Sequence, residues 1–350
     1  MRSAGQSSST SGNAPAVSDD DKVAFLSAPE NYPDHTECVT LLETHHAWLF
    51  MTDRHVYKMK KPFRAGGRDY SSVESRHVLC LDECRLNRRL AARTYLGLAP
   101  LVLTNTGRLA LKEDGTVVEW LVKMRRLPET RALPTLTAAG RINDSDITRL
   151  MRKLSRFHQQ APVCHFTPGA YAARLLDQVE FWHGELEPCR PALPEGLVGE
   201  LSAALRQYIR ARDDLLERRQ LEGRVRHVHG DLRPEHIFIL ENTEPEIIDC
   251  LEFDPDLRRL DCAAELAYFA METRHAGIEW LGEACIDAYR REQAETVGPK
   301  HLMAFYAALA ALVRAGLMAW QALEVPSAQE PVRRATAYLN DAHYYIARAG

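Results

Sequence analysis

The sequence predicts an α+β chain in two lobes: an N-terminal lobe made of a β-sheet with one long helix, and a larger, mostly helical C-terminal lobe. Three observations carry this expectation. Strand-like patterns cluster in the first third, at 43–62 and 107–124, and a helical apolar period dominates from Asp144 onward. The helical part is interrupted once, at His227 to Asp254, by two short apolar runs that carry acidic residues beside them. A chain of 350 residues is long enough for two such lobes.

Residues 1–20 are rich in Ser and Gly and are expected to form a disordered N-terminal segment, with no apolar core of a signal peptide. After a short helix near Val23, Glu43–Met51 and Val56–Pro62 read as two strands joined by the polar turn Thr52–His55. Strand alternation puts Val56, Lys58 and Lys60 on one face. Ser71 or Ser72 then caps a long helix to about Arg93, with Leu79, Leu86 and Leu90 as its apolar stripe. Glu83 falls inside that stripe. A carboxylate on a buried helix face needs a cation, and Lys58 is preferred because Lys60 to Pro62 looks like the end of the strand.

Gly107–Lys112 and Val117–Met124 read as a hairpin around Asp114-Gly115. Beyond it, Asp144 or Ser145 caps a helix bearing Ile147, Leu150, Met151, Leu154 and Phe157, and further amphipathic helices follow. Asp261 stands where it can cap the next helix or support the loop before it.

Composition narrows the partners. Hydrophobic content of 45% and charged content of 26% are ordinary for a globular chain, and a net charge of −4 without a basic stripe excludes a general nucleic-acid binder. The apolar run Phe305–Trp320 is broken by Arg314, so no membrane span is expected. Eight cysteines without a Cys-x-x-Cys pair suggest neither disulfides nor zinc, and a cytoplasmic chain is expected.

The chemistry concentrates in His227-Val-His-Gly-Asp-Leu-Arg-Pro-Glu-His-Ile-Phe-Ile-Leu240, followed by Glu246-Ile-Ile-Asp-Cys-Leu-Glu-Phe-Asp254. A loop carrying Asp231 feeds one apolar strand, and a second apolar strand ends on Asp249. Two acids are thereby delivered to one end of a hairpin. Phosphoryl transfer from ATP requires such a pair, one carboxylate to orient the attacking hydroxyl and one to hold Mg²⁺ on the phosphates.

These residues resemble the aminoglycoside phosphotransferase and choline kinase group of the protein-kinase-like superfamily, whose loop reads His-Gly-Asp-Leu-His-Pro-x-Asn and whose metal Asp closes an Ile-Asp strand. The resemblance runs from about Glu43 to Ala270. More narrowly, the chain is similar to an uncharacterised bacterial aminoglycoside-phosphotransferase-like family, known both as a free domain and fused to a P-loop ATPase domain. The resemblance implies a nucleotide-binding lobe at 21–124, a hinge at 125–128 and a catalytic and substrate lobe at 129–350. By it Asp231 is the catalytic base, Asp249 binds Mg²⁺ or Mn²⁺, and Lys58 held by Glu83 grips the phosphates of ATP. Thr44 stands where protein kinases have phosphate-covering glycines, Met124 and Arg125 border the adenine, and Arg233 neutralises charge on the transferred group.

The metal-binding Asn of the family pattern is replaced here by His236, a ligand better suited to Mn²⁺ than to Mg²⁺. The implied function is transfer of the γ-phosphate to a hydroxyl of a small molecule. The alternative is a nucleotide-binding pseudokinase or regulatory module without turnover. The acceptor is not legible: Glu252, Asp254 and Asp256 form an acidic rim, but Arg258 and Arg259 follow at once, and solvated loop charge is the expectation.

Overall fold

A computed structural model describes residues 17–65, 67–112, 114–324 and 329–350. The expected disordered stretch up to Ala16 lies outside these residues. Residues 18–20 do not belong to such a stretch: Ser18 and Asp21 form a reciprocal capping box that starts helix α1 (Asp19–Leu26). The chain divides into two compact units, one running to Cys84 and adding Tyr95–Arg126, the other made of Arg85–Thr94 and Leu127–Gly350.

The first unit is an antiparallel sheet. Its strands are β1 (Thr40–Glu43), β2 (Ala47–Met51) and β3 (His55–Lys60), then, beyond a two-residue pair β4 (Arg64–Ala65) and β5 (Arg68–Asp69) and the helix α2 (Val73–Ala91), β6 (Tyr95–Leu103), β7 (Leu109–Leu111) and β8 (Thr116–Arg125). The sheet order is β1-β2-β3-β8-β6-β7. Alternation in β3 sends Tyr57 and Met59 into a core with Phe50, Leu101 and Leu121. Ser72 caps α2 by accepting the amide of Ser75 at 3.1 Å. A second buried carboxylate, Glu119, is held by Arg76 at 2.5 Å and Lys22 at 3.1 Å, which ties α1 and α2 to β8.

Two expectations are corrected here. Glu43–Met51 is not one strand: Thr44 closes a turn on Ala47, its amide donating to that carbonyl at 2.8 Å, so His45 and His46 sit at a turn between β1 and β2. Nor do β7 and β8 form a hairpin. Each pairs with β6, which lies between them: Leu101 faces Leu111 on one side and Glu119 on the other.

The second unit is mostly helical, with α3 (Leu133–Ala138), α4 (Asp144–Gln160), α5 (Ala170–Leu186), α6 (Leu197–Ala211), α7 (Asp213–Leu221), α8 (Cys262–His275), α9 (Glu279–Val297), α10 (Lys300–Glu324) and α11 (Gln329–Ile346). Asn143, one residue before the expected cap, caps α4, and the stripe Ile147, Leu150, Met151, Leu154 and Phe157 is buried. Between α7 and α8 lie four short strands: β9 (Val225–His227) pairs with β12 (Arg259–Asp261), and β10 (Ile237–Phe238) with β11 (Glu246–Ile247). Contrary to the sequence-based expectation, α10 is long and apolar enough over Lys300–Leu323 to cross a membrane; 72% of that window is buried within the fold, as in a core helix. All eight cysteines are free.

Candidate active site

In the first unit, Glu83 is fully buried on α2 and answers two lysines from β3. Nζ of Lys58 is 3.0 Å from its Oε1 and Nζ of Lys60 is 2.5 Å from its Oε2. The preference for Lys58 alone therefore needs revision: the same-face spacing of the two lysines lets one carboxylate hold both. Lys58 keeps 14% of its side chain exposed and Lys60 only 3%, which leaves Lys58 the better placed to reach a ligand. The Thr44 hydroxyl is engaged within its own turn, donating to the Ala47 carbonyl at 2.9 Å and accepting the Ala47 amide at 3.1 Å. Met124 is buried on β8 between Val56 and Tyr95, and Arg125 is exposed at the strand end opposite His55. The first unit ends where the Arg126 amide donates to the Arg54 carbonyl at 2.8 Å.

In the second unit, the loop after β9 turns at Gly230, which has φ 89° and packs so closely that a Cβ would lie 3.2 Å from the Leu257 carbonyl oxygen. Its amide donates to Oε1 of the buried Glu265 at 2.8 Å, and His158 binds the other oxygen of that carboxylate at 2.7 Å. His229, fully buried, donates from Nε2 to the Ile248 carbonyl at 2.9 Å and accepts the Asp231 amide on Nδ1 at 3.3 Å. Asn87 brackets the backbone on the far side of Asp249, accepting the Cys250 amide at 2.8 Å. The two loop segments are thus fastened to each other and to α2 and α8 residues of the same unit.

Asp231 accepts the Tyr268 hydroxyl on Oδ1 at 2.7 Å and has Nε of Arg233 at 3.2 Å. Burial alone would raise its carboxyl, but His236, Arg233 and Tyr268 outweigh burial and hold it below the usual carboxylate range. It is an ionised acceptor at neutral pH. Pro234 starts a single 3₁₀ turn that swings His236 back over the loop, where Nδ1 donates to the Asp231 carbonyl at 2.9 Å. In the neutral ring Nε2 then carries the lone pair; it accepts from Arg233 at 3.0 Å and lies 3.6 Å from Oδ2 of Asp249. Asp249 itself adopts a left-handed backbone, φ 64°, and its side chain is 42% exposed.

Two donors 3.6 Å apart can both reach one ion, since ligand bonds of about 2.0–2.2 Å allow donor separations of about 3–4 Å. Among the described residues no group of three or more His, Cys, Asp or Glu side chains is assembled to hold a metal. Arg233, also 2.8 Å from Glu235, occupies Nε2 of His236 in the present arrangement.

Asp261 caps α8 through the Ala263 amide at 2.9 Å and is clasped by Arg219 at 2.6 and 2.7 Å, a structural role. Tyr268 and Glu265 were not singled out from sequence. Each is the α8 partner of a loop residue more than thirty positions earlier, and the one available signal was a Glu and a Tyr three residues apart inside an otherwise apolar helix start.

Asp231 and Tyr268 open onto a cavity of about 250 Å³ within this unit, walled by α5, α8 and α10 and by the segment after Asp249.

No family model matches the chain. It is 30% identical over 283 residues to uncharacterised proteins of Mycobacterium tuberculosis and Mycobacterium bovis, a stretch that is 79% of this chain and 54% of those proteins. The chain thus spans about half the length of the curated relatives it matches. Among solved structures, it is similar to a choline/ethanolamine kinase family protein from Mesorhizobium loti (TM-score 0.55, 13% identity, 94% of this chain and 98% of that one). It is also similar to an ethanolamine kinase of Plasmodium vivax (0.51, 11%, 89% and 83%) and to the aminoglycoside phosphotransferase APH(4)-Ia (0.51, 10%, 90% and 96%). A strand lobe with one long helix, a helical remainder and these neighbours agree: the chain has the fold of these choline/ethanolamine kinase and aminoglycoside phosphotransferase structures.

Proposed function

We propose that the chain is a small-molecule kinase, moving the γ-phosphoryl group of ATP to a hydroxyl of its acceptor. One observation carries this reading: a carboxylate, Asp231, is held ionised by Tyr268 and Arg233 at the wall of a cavity, on a loop fastened to the segment that presents Asp249. Phosphoryl transfer has a loose transition state, so the main task of a base with a lowered pKa is to align the hydroxyl and receive its proton as the P–O bond forms. In the first unit Lys58, held by Glu83 with Lys60, would grip the phosphates, and Thr44 with the β1–β2 turn would cover them. Met124 and Arg125 would border the base of the nucleotide. Mg²⁺ or Mn²⁺ held by Asp249 and His236 would supply positive charge to the phosphates. Arg233, already poised beside Asp231, would neutralise charge on the group in transit. Such a donor implies a cytoplasmic setting.

The bond from Arg233 to Nε2 of His236 favours the second reading, a nucleotide-binding module without turnover, because an ion must displace the guanidinium before His236 can bind it. Release of ADP and phosphorylated product from a hydroxyl-metabolite library, with Mg²⁺ and with Mn²⁺ and with Asp231→Asn as control, separates the two. Nucleotide binding without product under either ion would leave the module as the better account.

A further inference from the structure

The cavity beside Asp231 differs from what a cationic acceptor needs. Its walls are Leu175 and Trp182 from α5, Leu260, and Leu309, Val313 and Leu317 from α10. Its charged lining consists of Arg174, Arg314 and Asp231. Among the described residues Asp231 is therefore the one carboxylate in the lining, and it is engaged by Tyr268 and Arg233. Two of the three acids of the nearby rim are engaged within their own loop: Asp254 accepts the Asp256 amide at 2.9 Å, and Asp256 pairs with Arg259 at 2.9 Å. Arg314 is held at 3.0 Å by Glu272, which lies outside the lining.

We infer that the acceptor is an alcohol with an uncharged, apolar body, small enough for about 250 Å³, whose hydroxyl is delivered to Asp231 while its hydrocarbon lies against α5 and α10. An ammonium group placed in the cavity would lose its water, meet two guanidinium groups, and find no carboxylate except the one that must align the hydroxyl. An apolar body meets leucine, valine and tryptophan, and gains from leaving water. The inference rests on the kinase reading for its claim that the bound alcohol is an acceptor. The transfer it implies is balanced: the alcohol oxygen bonds to the γ-phosphorus, the bond from that phosphorus to the β,γ-bridging oxygen breaks, ADP leaves, and the hydroxyl proton passes to Asp231.

Binding can be measured without turnover, which keeps the two readings separable. Calorimetric titration of the full chain with heptan-1-ol and with 6-aminohexan-1-ol, which differ by a terminal methyl against an ammonium, is expected to give at least about tenfold tighter binding of heptan-1-ol. Val313→Trp, which fills the cavity from α10, is expected to abolish that binding while the circular dichroism spectrum and melting temperature stay near those of the parent. Leu309→Trp serves as a second variant if the first unfolds. Equal or tighter binding of the amino alcohol overturns the inference, as does binding of neither compound, or binding indifferent to a folded cavity-filling variant. Heptan-1-ol binding with no phosphotransfer to any alcohol would count against the kinase reading and leave the apolar site standing.

Discussion

Nε2 of His236 lies 3.6 Å from Oδ2 of Asp249 while Nδ1 of the same ring donates to the carbonyl of Asp231, so one side chain joins the backbone of the proposed base to the proposed metal ligand. An Asn at this position would divide the same two tasks between its amide NH₂ and its carbonyl oxygen. His236→Asn is therefore expected to keep the loop in place and to raise activity with Mg²⁺ relative to Mn²⁺, because an oxygen donor replaces an imidazole. Steady-state rates with each ion test this, and an unchanged Mg²⁺/Mn²⁺ ratio would remove His236 from the metal's ligands.

Asp231→Asn is expected to lower phosphotransfer by roughly 10²- to 10⁴-fold with little change in melting temperature or in ATP affinity. The Tyr268 hydroxyl retains an oxygen to donate to, so the loop does not lose its anchor. Rates and nucleotide titration on the same preparation check both halves; near-parental turnover sinks the assignment.

Lys58 and Lys60 should separate by their exposure. Lys60→Met takes one of its lysines from the fully buried Glu83 and is expected to destabilise the fold by about 1–3 kcal/mol in urea unfolding. Lys58→Met, at the more exposed partner, is expected to act mainly on ATP affinity. Combined with Glu83→Gln, either lysine change should cost less than the sum of the singles, since the shared carboxylate couples them. Strict additivity would mean that the contacts seen here carry no energy.

The sequence made some of this legible and hid the rest, for physical reasons. Helix α2 with its buried Glu83, and the loop with Asp231, could be read because both lie in local patterns, a stripe of period 3.6 and a compact run of loop chemistry. Strand β6 was missed. Gly97 and Pro100 fall inside it and argue against a strand, yet Gly97, at φ 147°, sits at a register shift where the irregularity is accommodated. Once β6 was missed, β7 and β8 looked like direct neighbours. The two lysines sharing one carboxylate, the α8 anchors Tyr268 and Glu265, and the acid-poor cavity depend on contacts between residues distant in sequence, which no local period encodes.

The left-handed backbone at Asp249 sets activity against durability. A side chain at φ 64° carries strain of about 1–2 kcal/mol that glycine escapes, against about 0.4–1 kcal/mol of extra unfolded-state freedom that glycine adds. With its side chain 42% exposed, truncation opens no void, and the relief of strain offsets the loss of the side chain's contacts, His236 at 3.6 Å among them, so Asp249→Gly is expected to melt near the parent while losing the proposed transfer. Lineages released from the need to turn over nucleotide would drift toward Gly or Asn at this position without penalty to folding. An aspartate maintained there in related chains would thus record continuing demand for the proposed reaction.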